Sequence, residues 1–342
     1  MKKFDKQYND IISVENLLSA WREFLKGKKN KKDVEEFQSR LMDNIFDLHN
    51  DLKNKTYKHG EYKAFKINDP KPRDIHKASV RDRLLHHAIY RILYLYFDTK
   101  FIHDSYSCRL EKGSHKAINR FRDFSRIVSN NNIKTCWVLK CDIRKFFANI
   151  DHEILKSILS KYIKDKDILW LLDQIIYSFN TKTETNSAMA EFVSTKRRGL
   201  PLGNLTSQLL VNIYMDEFDQ FVKRELKIKY YIRYADDFVI LLNNKINLFE
   251  ILGCMKEFLE NNLKLKMHPN KVFIKTIHSG VDFLGWVNFS NHRVLRTSTK
   301  KRMFKNIRKN PKNEVIQSYF SMLSHGNGYK LQKSIKNNSW VA

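Results

Sequence analysis

The sequence predicts an α+β chain built from subdomains, and three observations carry that prediction. The chain has 342 residues, enough to bury a large core in two or three packed parts. Apolar residues keep helical spacing towards both ends, while strand-forming runs with turn signals occupy the middle. With 42% hydrophobic and 13% aromatic residues, the composition is not that of a disordered polybasic tail.

Taken in order, Leu17, Leu18, Trp21, Phe24 and Leu25 mark a first helix, and after "KGKKNKK" a second carries Val34, Phe37, Leu41, Ile45, Leu48 and Leu52. The lysine run reads equally well as a solvated loop or a nucleic-acid contact. Residues 61–78, "EYKAFKINDPKPRDIHKA", contain Pro70 and Pro72, which favours strands and a loop over helix. From Asp82 to Phe101, Leu85, Ala88, Ile89, Ile92, Leu93 and Phe97 form one apolar face, on which His86 and His87 read as packing or surface residues. "CWVLKCDI", 136–143, is a strand that ends in a carboxylate. "GLPLGNLTSQ", 199–208, is a punctuated loop leading into a helix through Leu210, Tyr214, Phe218 and Phe221. "YIRYADDFVILL", 231–242, alternates on both sides of its acids and reads as a hairpin. Residues 247–262 read as helix, "KVFIKTI" and "VDFLGWVNF" as strands, and Thr297 onward as short basic helices divided by Pro311 and "HGNG".

The charge balance is strongly basic: 63 Lys and Arg against 37 Asp and Glu give a net charge of +26. Such a surface attracts polyanions, nucleic acid before a membrane face. Cys108, Cys136, Cys141 and Cys254 form no C-x-x-C pair and no zinc spacing, which fits a reducing cytoplasmic setting. "MKKFDKQYNDII" has no apolar signal core, and no run of eighteen apolar residues occurs, so no membrane association is expected.

Against that positive background, Asp236 and Asp237 stand between two apolar half-strands, and Asp142 closes an earlier strand. If these strands are neighbours, the three acids converge at one sheet edge. Hard oxygen ligands suit Mg²⁺, which keeps waters and takes one or two carboxylates plus substrate phosphates. Two such ions serve in-line phosphoryl displacement. Successive strand residues point to opposite faces, so Asp142 and Asp236 are read as the primary pair and Asp237 as auxiliary. Taken alone, an Asp pair in a hairpin is more often an ordinary turn choice than a metal site.

"YADD", with "KCDIRKFFANID" and "RGLPLGNLTSQ" before it and "FLGW" after it, resembles the ordered palm motifs of reverse transcriptases across about residues 60 to 300. The resemblance implies a right-hand polymerase with an antiparallel palm sheet and helical N-terminal and C-terminal parts. Residues 1–60 would be a helical extension, 61–135 fingers, 136–295 palm with a fingers-like insertion near 152–198, and 296–342 thumb. It implies an RNA-directed DNA polymerase that takes dNTPs, template RNA and a cDNA/RNA hybrid. Two Mg²⁺ ions, with Mn²⁺ as a substitute, would sit on Asp142, Asp236 and Asp237. Phe147, five positions after Asp142, matches the aromatic gate that clashes with a ribose 2′-hydroxyl, although Phe146 beside it is equally apolar. "KPRDIHKASVRDR" resembles the fingers segment that meets the triphosphate, through Arg73, Lys71 and Lys77. "SYSCRLEKGSHKA" places Arg109 near the template, and Lys271 in "MHPNKVFI" matches a proton donor to the leaving pyrophosphate. Phe283, Leu284, Gly285 and Trp286 match the primer grip, and the basic helices after Thr297 match a thumb that follows the duplex backbone.

Most reverse transcriptases read Q-G-x-x-x-S-P where this chain reads "LGNLTSQ", so that Leu202 replaces Gln, Gly203 is kept and Gln208 replaces Pro. This version resembles the reverse transcriptases of diversity-generating retroelements, as do "KPRDI", "RDRLLHHA" and "GVDFLGW". Those enzymes misincorporate opposite template adenines and work with a small basic accessory oligomeric protein. Loss of an amide beside the nascent base pair would weaken discrimination between nucleotides. Other readings are an antiviral-defence enzyme or retron, although N-A-x-x-H and V-T-G are not found, and a catalytically idle RNA-binding scaffold. An RNA-dependent RNA polymerase is a further reading, against which Phe147 argues. A group II intron maturase fits less well, since residues 287–342 are few for a thumb plus maturase and endonuclease domains.

Overall fold

The computed structural model describes residues 4–68, 72–181 and 197–337. The chain opens with helices α1 (Tyr8–Ile12), α2 (Val14–Phe24), α3 (Lys32–Ser39) and α4 (Leu41–Lys53). The single helix expected from Val34 to Leu52 is thus broken. Arg40 leaves the helical region at φ −125° and ψ 43°, and the Ser39 hydroxyl turns back to the Glu36 carbonyl at 2.9 Å. Strands β1 (Lys63–Ile67) and β2 (Arg73–Lys77) pair antiparallel in the proline-bearing stretch, as expected, and α5 (Val80–Phe97) follows.

Next come α6 (Ser114–Val128), β3 (Trp137–Asp142), α7 (His152–Tyr162), α8 (Lys166–Ile176) and α9 (Leu205–Gln220). The helix expected to run through Phe221 gives way there to a π-helical turn, Phe221–Glu225. The acid-bearing stretch forms the hairpin β4 (Tyr231–Tyr234) and β5 (Asp237–Leu242), and α10 (Lys245–Asn262) and β6 (Phe273–Thr276) come after it. Short strands β7 (Val281–Phe283), β8 (Trp286–Asn288) and β9 (Arg293–Leu295) lead into α11 (Thr297–Lys309), α12 (Asn313–Leu323) and α13 (Tyr329–Lys336).

The chain divides into two compact units. The first comprises Met1–His103, Ile143–Phe221 and Glu257–Lys266. In it α2 packs on α5 and α5 on α9, with Leu17, Trp21, Phe24, Leu84, Leu85 and Ala88 buried. Asp82, at the start of α5, is buried and accepts from the Tyr57 hydroxyl at 2.7 Å and the Gly60 amide at 3.2 Å. A buried carboxylate so satisfied anchors the segment before β1 to the helix.

The second unit comprises Asp104–Asp142, Val222–Lys256 and Met267–Ala342. It holds a four-stranded antiparallel sheet in the order β4-β5-β3-β6 and a three-stranded sheet β7-β8-β9. Its core gathers Phe121 and Phe124 of α6, Val138 of β3, Val239 and Leu241 of β5, Phe283, Trp286, and Met303 and Ile307 of α11. The central strands are apolar because both faces are covered, which leaves chemistry to the strand ends. Among the described residues no helix is long and apolar enough to cross a membrane.

Candidate active site

The acids meet at one end of the β3–β5 ladder in the second unit. Asp142 closes β3 and stands directly opposite Asp237, the first residue of β5. Opposed residues of an antiparallel pair project to the same face, so these two carboxylates share a side of the sheet. Tyr234 pairs with Asp237, which leaves Ala235 and Asp236 as a two-residue turn. Ala235 takes a φ of +55°, where hairpins of this length usually place glycine. Arg233, fully buried in β4, donates from Nη1 to the Ala235 carbonyl at 3.2 Å and fixes the turn from below.

Two lysines attend the acids. Lys271 Nζ donates to both oxygens of Asp142, at 2.8 and 2.9 Å. The loop that carries it is pinned by the His268 amide, which donates to the Asp142 carbonyl at 2.7 Å. Lys140 lies two residues before Asp142 on the same strand face, and its Nζ is 3.2 Å from Asp237 Oδ1. That contact is an ion pair without hydrogen-bond alignment, so the buried Asp237 Oδ1 has no hydrogen-bond donor. Burial, then the Asp237 and Asp142 carboxylates, push the Asp236 carboxyl up to about 6, with Lys271 offsetting this only in part. Burial likewise raises Asp237, against the pull of Lys140.

Among the described residues no three Asp, Glu, His or Cys side chains form a ready-made metal cage. The donor set nevertheless fits a hard dication. It offers carboxylate oxygens only, one of them buried and without a donor, in a cluster whose mutual repulsion a divalent cation would relieve. A magnesium-type ion that completes its shell with water and substrate phosphate matches this set better than one enclosed by protein.

The first unit carries Phe147, Leu202, Gly203, Gln208, Arg73 and Lys77. Phe147 opens a short 3₁₀ turn, Phe147–Asn149; it is half-buried while Phe146 is buried. The Phe147 carbonyl accepts from the Leu200 amide at 2.8 Å, and the Leu202 carbonyl accepts from the His76 amide of β2 at 3.0 Å. Gly203 is at φ +107°, and a Cβ there would lie 2.9 Å from Ile75 Cγ2. Three segments far apart in sequence therefore form one connected wall bearing Phe147, Leu202, Gly203 and β2. Gln208 lies in the first turn of α9, half-buried. Arg73 begins β2 and is exposed, whereas Lys77 at its end bonds Asp33 of α3 at 2.7 Å. Lys71 lies outside the described residues.

In the second unit, Arg109 Nη1 donates to the Ser105 carbonyl at 3.0 Å. Phe283 and Trp286 are core residues, and Leu284 with Gly285 forms the turn between them. Sequence reasoning passed over Lys140 and Arg233. Lys140 was legible from its two-residue spacing to Asp142, and Arg233 from being a lone cation in an apolar strand.

Residues 65–287 match the family described as reverse transcriptase (RNA-dependent DNA polymerase). Protein YkfC of Escherichia coli is 25% identical over 65% of this chain and 63% of its own length. The group II intron-encoded protein LtrA of Lactococcus lactis is 24% identical over 80% of this chain and 54% of its own. The chain thus spans less than two thirds of either relative. The structure of apo telomerase from Candida tropicalis superposes with a TM-score of 0.52 at 12% identity, over 73% of this chain and 52% of that one. The fold is the right-hand polymerase fold expected from the sequence, mixed helix and antiparallel sheet. By the match over 65–287, the chain belongs to the reverse transcriptase family.

Proposed function

We propose that the chain is an RNA-directed DNA polymerase that adds dNTPs to a primer 3′-hydroxyl on an RNA template. The observation that carries this reading is the acid cluster: Asp142 opposite Asp237, with Asp236 in the adjoining turn and Lys271 on Asp142. Asp142, Asp236 and Asp237 would hold divalent ions, which would supply charge stabilisation to the phosphoryl displacement. Lys140 and Lys271 hold the acids in place, and the Lys271 ammonium is the proton donor to the leaving pyrophosphate. Phe147 excludes a ribose 2′-hydroxyl, and the loop of Leu202 and Gly203 forms the surface beside the nascent base pair. Arg73, with Lys71 and Lys77, takes the triphosphate; Arg109 meets the template, and the Phe283–Trp286 turn the primer. In this reading residues 1–60 are an extension, 61–135 fingers, 136–295 palm and 296–342 thumb.

Extension of a primed RNA template in Mg²⁺ tests the reading. dNTPs are incorporated, NTPs are not, and Asp236→Ala is inactive; equal use of NTPs, or extension by Asp236→Ala, overturns it.

The finer proposal is error-prone cDNA synthesis of the diversity-generating kind, with a small basic accessory partner. Leu202 in place of a glutamine supports it, because an apolar side chain offers no hydrogen bond by which to reject a mispair. Leu202→Gln lowers misincorporation opposite adenine; an unchanged error rate removes the link. The intron-encoded relatives favour a second reading, in which the template is an intron-type RNA. Sequencing the cDNA bound to the protein in cells separates them. One template copied with adenine errors supports diversification, intron sequence supports the second reading, and repeats or untemplated products point to defence.

A further inference from the structure

A cavity of about 250 Å³ lies in the second unit between α6, the turn joining β8 to β9, and residues 324–327. Arg122 and Arg126 of α6, one helical turn apart on the same face, and Arg293 of β9 line it together with His292 and His325. Among the described residues no carboxylate lines it. Arg293 is held in place by Nη2, which donates to Asn119 Oδ1 at 2.6 Å. Its Nη1 is buried and has no hydrogen-bond partner, an unmade bond that carries its full desolvation penalty.

The positive groups here oppose one another. Burial, then Arg122, hold the Arg293 guanidinium below its ordinary range, and Asp123, 3.8 Å from Arg122 Nε, offsets this only in part. The His115 ring stacks on His325 with centroids 3.6 Å apart, and burial, His325 and Arg293 all lower it. An anion in the cavity would relieve the repulsion among these cations, through charge-assisted bonds of the kind guanidinium makes with phosphate.

We propose that this cavity binds a backbone phosphate of an RNA strand, at a place distinct from the polymerising acids. The cavity shares no residue with the acid cluster or with the Leu284–Gly285 turn, which lies at the other end of β8. A net charge of +26 favours a polyanion over a free ion. The choice of RNA rests on the polymerase reading; the phosphate chemistry does not. The site would hold template outside the hybrid, so that the RNA is tethered while its copied part moves.

The test uses the full chain and measures binding of labelled unpaired RNA by fluorescence anisotropy across a salt series. Arg122→Gln with Arg126→Gln alters only exposed positions of α6, and Arg293→Gln removes the buried donor. Each weakens RNA binding by about tenfold at moderate salt and flattens the salt dependence by about one phosphate contact or more. Extension of a primed template too short to span both places stays at the wild-type rate. Unchanged affinity and slope in the α6 double variant overturn the proposal, whatever becomes of Arg293→Gln. Titration with inorganic phosphate and with dNTP separates the sources: arginine-dependent dNTP binding without loss of RNA affinity also overturns it. Arginine-dependent RNA binding by a chain that cannot extend a primer supports this site and counts against the polymerase reading alone.

Discussion

Two hairpin turns of the second unit, each two residues long, are built in opposite ways. The β4–β5 turn, Ala235–Asp236, is flanked by Tyr234 and by a half-buried Asp237 whose Oδ1 has no donor. Only its first residue has positive φ, and that residue is alanine. The β7–β8 turn, Leu284–Gly285, has positive φ at both positions, +50° and +87°, the pattern that matches strand twist, and it is flanked by Phe283 and Trp286 in the core. Each turn holds one non-glycine residue at positive φ, but one sets like charges side by side where the proposed chemistry lies, and the other is held by packing. Stability and activity should therefore respond in opposite directions to changes in the two.

The largest effect should come from the acid turn. Asp236→Asn lowers primer extension by roughly a thousandfold, because one of the carboxylates that would hold the divalent ions is lost. The same change raises the melting midpoint by about 2–4 °C, since a buried like charge is removed. A calorimetric scan beside the extension assay reads both, and a drop in stability would break the contrast. Next, Trp286→Ala destabilises the fold by about 3–5 kcal/mol in urea unfolding, as expected for an aromatic removed from a core. Gly326 backs this ring so closely that a Cβ on it would fall 2.3 Å from Trp286 Cζ3, so the site has little room to repack.

A smaller effect separates strain from charge. Ala235→Gly relieves about 1 kcal/mol of left-handed backbone cost and slows extension several-fold by loosening Asp236. Leu284→Gly relieves a similar cost without slowing single-nucleotide addition on a saturating primer. Equal slowing by both would show that the turns work alike. A separate, pH-dependent effect lies in the first unit. Burial holds His86 down at about 3, so between pH 6.5 and that value the unfolded chain binds a proton that the folded imidazole refuses. Stability is full above pH 6.5 and declines as pH falls through this window. Urea midpoints for wild type and His86→Gln should converge towards acid pH, and parallel curves would remove the assignment.

The acids were legible through the ordered motifs around them, since an Asp pair in a hairpin is by itself an ordinary turn choice. Their partners were less legible. With 63 basic residues, Lys140 carries no compositional signal, and only the strand period singles it out. The pairing of Asp142 with Asp237, leaving Asp236 in the turn, depends on a two-residue loop that alternation alone cannot fix. The break at Arg40 was hidden because apolar spacing continues across it from Val34 to Leu52. Helices α6, α7 and α8 and strand β9 went unassigned, since β9 is three residues long and α6 is dominated by charge outside its buried stripe. The wall around Phe147 and Leu202 was legible as separate motifs, but not as one hydrogen-bonded surface, because its joints are backbone amides and carbonyls that every residue carries.

The most direct measurement of the central claim is Mn²⁺ binding followed by electron paramagnetic resonance, with a chain-terminated primer on RNA template and the next dNTP present. Wild type should bind the ion, and Asp142→Asn and Asp236→Asn should each lose most of that binding while remaining folded. Undiminished Mn²⁺ binding by both variants would contradict the account.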